Sequence, residues 1–239
     1  MNRRPTDTAI AAPGLGATWK SMRFLQLFAF TMLALLLVPL QLRFRVLWLV
    51  LSALYLDAVL VSLTVGGQRA RRRWIFLFGW GLAVALRIAP IAESDLATLF
   101  YATSRIVVVM LLGGCIIATL DYVLRGAEVS VDRIFAAIVA YMLAGLGFAA
   151  AYQTIAALAP ESFALPAGPD GPGATELLEV QLIYFSFVTL ATLGYGDITP
   201  RLPLAQMLAV VEAVAGQFYV AVVIAWLVSA YAAQRRAGA

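Results

Sequence analysis

Histidine is absent from this chain, cysteine occurs once, and charged residues fill only 13% of its 239 positions. Without histidine there is no imidazole to ligate a metal or to titrate near neutral pH. A single cysteine, Cys115, excludes a disulfide within the chain, and it sits inside an apolar run. No nucleophile–base pair and no metal-binding cluster stands out, so nothing points to a soluble enzyme or to a cofactor. The scarcity of charge is matched by 63% hydrophobic residues and a mean hydropathy of +0.91. A water-soluble domain does not carry that balance, and the chain reads as an integral membrane protein. The formal net charge is +4. The basic residues are scattered between apolar runs, which makes them topology signals rather than a nucleic-acid-binding patch.

Apolar segments recur at Phe24–Leu40, Val46–Val65, Trp74–Pro90, Leu96–Leu120, Ile134–Leu158 and Leu204–Tyr231. Each approaches the length needed to cross about 30 Å of hydrocarbon at about 1.5 Å per residue. Residues 1–20, with Pro5, Pro13, Gly14 and Gly16, read as a cytoplasmic tail. The first apolar run reads as a retained helix, because no small-x-small cleavage pattern follows Leu40. Residues 21–133 then form a block of four transmembrane helices, and residues 134–239 a second unit. In that unit 134–158 is an outer helix and 159–175 an irregular Pro- and Gly-rich turret that no regular element is expected to occupy. The segment 176–191 is too short to span and reads as a re-entrant helix, followed by a loop at 192–197 and an inner helix at 203–231.

The distribution of arginine and lysine puts both termini in the cytoplasm. Arg43 and Arg45 are the discordant pair in that arrangement. Only eight residues follow Tyr231, which leads to the expectation that no cytoplasmic ligand-binding domain is fused there.

The loop reads Thr192-Leu193-Gly194-Tyr195-Gly196-Asp197. Glycine adopts φ > 0 without a steric penalty. Gly194 and Gly196, alternating with Leu193 and Tyr195, therefore suit a backbone whose successive carbonyls all point inward. Leu193 and Tyr195 are expected to wedge the loop against its scaffold, Thr192 to add a hydroxyl at the inner end, and Asp197 to put a carboxylate at the outer mouth. The stretch resembles the potassium-channel signature T-x-G-Y-G-D, whose carbonyl rings replace the hydration shell of the ion. Residues 134–231 resemble the pore domain of bacterial six-helix potassium channels without a voltage sensor; over 1–133 the likeness is architectural only.

The resemblance implies K+ sites at Thr192, Leu193, Gly194 and Tyr195, with Gly196 completing the filter. It also implies passive potassium conduction in the plasma (inner) membrane. One chain supplies one filter strand and a coordination ring needs four, so a homotetramer embedded in the lipid bilayer is expected, with no nucleic-acid or small-molecule partner. A potassium-transporter membrane subunit and a non-conducting accessory subunit are the alternatives.

Four charges fall within the spans: Asp57, Arg87, Arg105 and Glu212. An unpaired one costs about 2.5–3.5 kcal/mol on insertion scales. Asp57 and Arg105 lie at matched depths and are expected to pair, while Arg87 is near enough to its helix end to snorkel. The helix 96–120 offers Arg105 alone, too little charge for a steep voltage sensor. Glu212 has two open readings, a hydrogen bond behind the filter or a packing bond to a neighbouring helix. Gly216 is either a bending point or a close-packing site. Beyond it Gln217, Val220, Ile224 and Val228, at spacings of three and four, are expected to share one cavity-lining face.

Overall fold

The computed structural model describes residues 22–42, 70–88, 95–125, 129–166 and 173–237. They form α1 (Arg23–Leu37), which tightens into a 3-10 turn over Val38–Leu42, then α2 (Ala70–Ile88), α3 (Asp95–Arg125) and α4 (Val131–Leu158). A 3-10 turn at Pro160–Ser162 leads to β1 (Phe163–Ala164), then α5 (Ala174–Leu190) and β2 (Thr199–Pro200). The chain finishes in a rod built from α6 (Pro203–Phe218), a π-helical turn at Tyr219–Ile224 and α7 (Ala225–Ala237). Among the described residues the fold is all-α apart from the two-residue strands.

Among the described residues four helical runs are long and apolar enough to cross a membrane: Arg23–Leu40, Leu96–Arg125, Val131–Leu158 and Pro203–Ala237. Trp74–Arg87 is a shorter apolar helix. The expected crossing at 46–65 and the tail at 1–20 lie outside the described residues.

Helix starts follow from their caps. Ser130 receives the Arg133 N–H at 3.3 Å and opens α4. Pro203, lacking the N–H that a first turn leaves unbonded anyway, opens α6. The start of α1 is capped from far along the chain: Asp132 Oδ1 accepts the Phe24 N–H at 2.8 Å. At the other end of α1, Pro39 stops regular α-helix at Leu37.

α4 is the element around which the rest packs, carrying α1, α3 and α5. Its buried face is rich in small residues (Ala136, Ala137, Ala140, Gly145, Ala149, Ala150), which lets neighbouring backbones approach where lipid offers no hydrophobic drive. One core joins Phe24 and Leu27 of α1, Leu112 and Cys115 of α3, Val139, Leu143 and Leu146 of α4, and Leu227 of α7. A second core joins Tyr152, Phe163, Leu182, Phe185, Ile198 and Ala205. There Tyr152, Phe163 and Phe185 meet edge to face at 5.1–5.6 Å.

That aromatic cluster corrects the expected turret. Phe163 needs a fixed backbone to reach Tyr152 and Phe185, and the start of the segment is ordered accordingly. β1 pairs antiparallel with β2, Phe163 opposite Pro200 and Ala164 opposite Thr199. Ser162 O also accepts the Arg201 N–H at 2.7 Å. The turret is thereby laced to the segment that leaves the Gly-Tyr-Gly loop.

Candidate functional site

The site is the loop after α5. The C-terminal end of α5 passes straight into it, with the Thr192 N–H on Thr189 O at 2.9 Å and the Leu193 N–H on Val188 O at 2.8 Å. Thr192, Gly194 and Gly196 take φ values of 57°, 60° and 79°. Positive φ at every second residue turns consecutive peptide units the same way, where an extended strand would alternate them. The two glycines reach this region freely. Thr192 does not: it is β-branched and the one non-glycine residue with positive φ among the described residues, a conformation worth about 1–3 kcal/mol of strain. Gln217 of α6 holds it, donating from Nε2 to Thr192 Oγ1 at 2.9 Å.

Every residue from Ala191 to Asp197 is exposed in the single chain. Leu193 is 57% and Tyr195 67% accessible, so little of this chain covers their side chains. Tyr195 stacks on Tyr184 of α5, ring centroids 6.5 Å apart and nearly parallel. That stacking ties the outer end of the loop back to the helix.

α5 itself is held at three levels. At its C-terminal end the Tyr141 hydroxyl donates to Leu190 O at 3.0 Å. Gly216 passes directly beneath that carbonyl, and a Cβ there would collide with it. One turn before that end, Ser186 Oγ lies 2.6 Å from Gly145 O and 2.5 Å from Glu212 Oε1. The Tyr152 hydroxyl donates to Glu212 Oε2 at 2.7 Å. Glu212 is fully buried. Its partners thus lie on α4 and on α5, the helix that carries the loop.

Toward the N-terminal end of α5, Glu179 accepts two hydrogen bonds from Arg87 of α2, Nη1 to Oε1 and Nη2 to Oε2 at 3.0 Å. The Tyr101 hydroxyl of α3 donates to Oε1 at 2.8 Å, and Arg105 Nη2 of α3 lies 3.8 Å away. Gln153 of α4 completes the cluster, accepting from Arg105 at 3.2 Å and donating to Glu179 O at 3.2 Å.

Several sequence-derived assignments are refined by this geometry. Asp57, the expected partner of Arg105, lies outside the described residues, and Arg105 stands against Glu179 and Gln153. Arg87 does not snorkel to the headgroups: it turns inward, because a buried carboxylate is within reach. Gln217, Val220 and Val228 are exposed, but Ile224 packs partly against the first core. The cause is the π-helical turn. One extra residue in the turn rotates the remainder of the rod by roughly 100°, so a spacing of four no longer keeps one face.

Sequence reasoning missed Glu179, reading it only as part of the short helix. The available signal was two arginines within apolar runs, which demand acidic partners somewhere in the chain.

Residues 178–233 match the family described as Ion channel. The chain is also 36% identical over 95 residues to the two pore potassium channel c of Oryza sativa subsp. japonica, a stretch covering 40% of this chain and 18% of that protein. The family match therefore takes in most of α5, the loop and the inner rod, the same elements that build the site.

Proposed function

We propose that the chain is one subunit of a homotetrameric potassium-selective channel of the plasma membrane. Ions pass down the axis between four copies of Thr192–Gly196, coordinated by the carbonyls of Thr192, Leu193, Gly194 and Tyr195 and by the Thr192 hydroxyl. Asp197 stands at the outer mouth, and both termini lie in the cytoplasm. The observation that carries this reading is the alternation of positive φ at Thr192, Gly194 and Gly196, placed at the end of a half-length helix between two membrane-long ones. A carbonyl ring supplies what a potassium ion loses with its hydration shell. The match of residues 178–233 to an ion-channel family and the name of the rice relative support the same conclusion.

The tetramer is supported by the exposure of the whole loop and of Val210, Val214, Phe218 and Val222 on the inner rod. Gln217 forms a polar collar below Thr192, with Val220 and Val228 beneath it as an apolar sleeve that shuts by dewetting. Conduction is not steeply voltage-dependent, since Arg105 is the lone arginine in the body of α3 and is bonded to Gln153 beside Glu179.

The test is potassium flux into vesicles reconstituted with the purified chain alone, which also separates a channel from an accessory subunit. Gly196→Ala places a Cβ at φ 79° and is expected to abolish flux while the tetramer persists. Flux in that variant with selectivity for potassium over sodium unchanged would overturn the filter assignment.

A further inference from the structure

Resting on the channel reading above, we infer that Glu179 is a positioning residue through which the N-terminal helices hold the filter in its conducting form. Regulation by those helices then acts at the filter itself. α2 packs chiefly on α3 and lies outside the segment that matches the ion-channel family. It nevertheless reaches α5 through Arg87, which grips both oxygens of the Glu179 carboxylate. α3 adds Tyr101 and Arg105, and both guanidinium groups lie over the Tyr101 ring, Arg87 Cζ 5.6 Å and Arg105 Cζ 5.1 Å from its centroid. The Glu179 side chain is only 8% exposed, so these charge-assisted bonds act with little solvent screening.

The lever is α5. From Glu179 to Leu190 is eleven residues, about 16 Å of rigid helix. The lower mounts at Ser186 and Leu190 fix its far end, and Glu179 fixes its near end. Losing one mount lets the helix tilt about the other two. The backbone of Thr192 and Leu193 is bonded directly to the last turn of α5, so the tilt reaches the filter. Inward-facing carbonyls repel one another unless a cation lies between them, so a loosened filter depends on potassium occupancy to stay open. The predicted signature is therefore potassium-dependent decay of the current.

The experiment uses the full chain in planar bilayers, comparing current decay at low and high external potassium. Arg87→Gln and Glu179→Gln are each expected to speed decay at low potassium about fivefold or more, with high potassium restoring the current. Because both act through one contact, the double variant should decay no faster than Glu179→Gln alone. A merely structural role lowers the yield of tetramer but leaves the surviving channels decaying as wild type does. That result in Glu179→Gln would overturn the inference, as would additivity in the double variant. If Glu179→Gln fails to assemble, Tyr101→Phe, which removes one hydroxyl donor, decides: faster potassium-sensitive decay supports the mount, and wild-type decay overturns it. Wild-type protein that carries no potassium current overturns the channel reading instead.

Discussion

Gly216 lies beneath the Leu190 carbonyl with no room for a methyl group. A bending point and a packing site predict opposite results for Gly216→Ala. In a free hinge, alanine would stiffen the helix and stabilise it by about 1 kcal/mol. In the close contact seen here, the inner rod and α5 must separate, at a cost of about 1–3 kcal/mol. A lower melting temperature of the detergent-solubilised variant is the expected outcome, and a higher one would favour the hinge. Glu212 allows a similar separation of roles. Glu212→Gln keeps an oxygen for Tyr152 and offers Ser186 an amide, so stability should change little. Glu212→Leu leaves the buried Tyr152 hydroxyl without its acceptor, costing about 1–3 kcal/mol. Equal melting temperatures for the two variants would contradict the hydrogen-bonded role. Gly194 and Gly196 were legible in the sequence because their requirement is local, a positive-φ backbone that a Cβ disfavours. The partners of Glu212 and Glu179 stand 26 to 92 residues away, and only the packed helices bring them together.

Among the elements, the described helices were legible from their apolar runs, since lipid leaves the backbone little other than helix. α4 and α5 fall within about three residues of the bounds expected for them. The two-residue strands were not legible, because they exist only where Phe163 docks on Tyr152 and Phe185. Nor was the π-helical turn, which depends on tertiary anchoring: the Tyr219 hydroxyl donates to Ala137 O at 2.7 Å and its ring packs on Tyr141. On the proposed channel reading, this turn changes which residues meet the conduction path. On a Cys115→Ser background, a cytoplasmic thiol reagent should block current through Val228→Cys and spare Leu227→Cys, since Leu227 is fully buried. Ile224→Cys should also be spared or react slowly, because Ile224 faces the core of its own chain. Rapid block at Ile224→Cys would mean that the rod is a regular α-helix in the membrane.

At the scale of the whole molecule, the two cores divide the labour. The one centred on α4 and α3 binds the N-terminal helices to the inner rod, and the aromatic one braces the turret, α5 and the chain leaving the loop. The loop itself belongs to neither core, and its exposure in one chain is what a ring of four copies would cover. Native mass measurement should give four times the 25.7 kDa chain, and a monomer in mild detergent would count against the tetramer. The central claim, that Thr192–Gly196 select potassium, is tested most directly in a planar bilayer. Purified chain is exposed to potassium on one side and an equal concentration of sodium on the other, and the reversal potential is read. The account predicts that current reverses only when the potassium side is held strongly negative, and reversal near zero would contradict it.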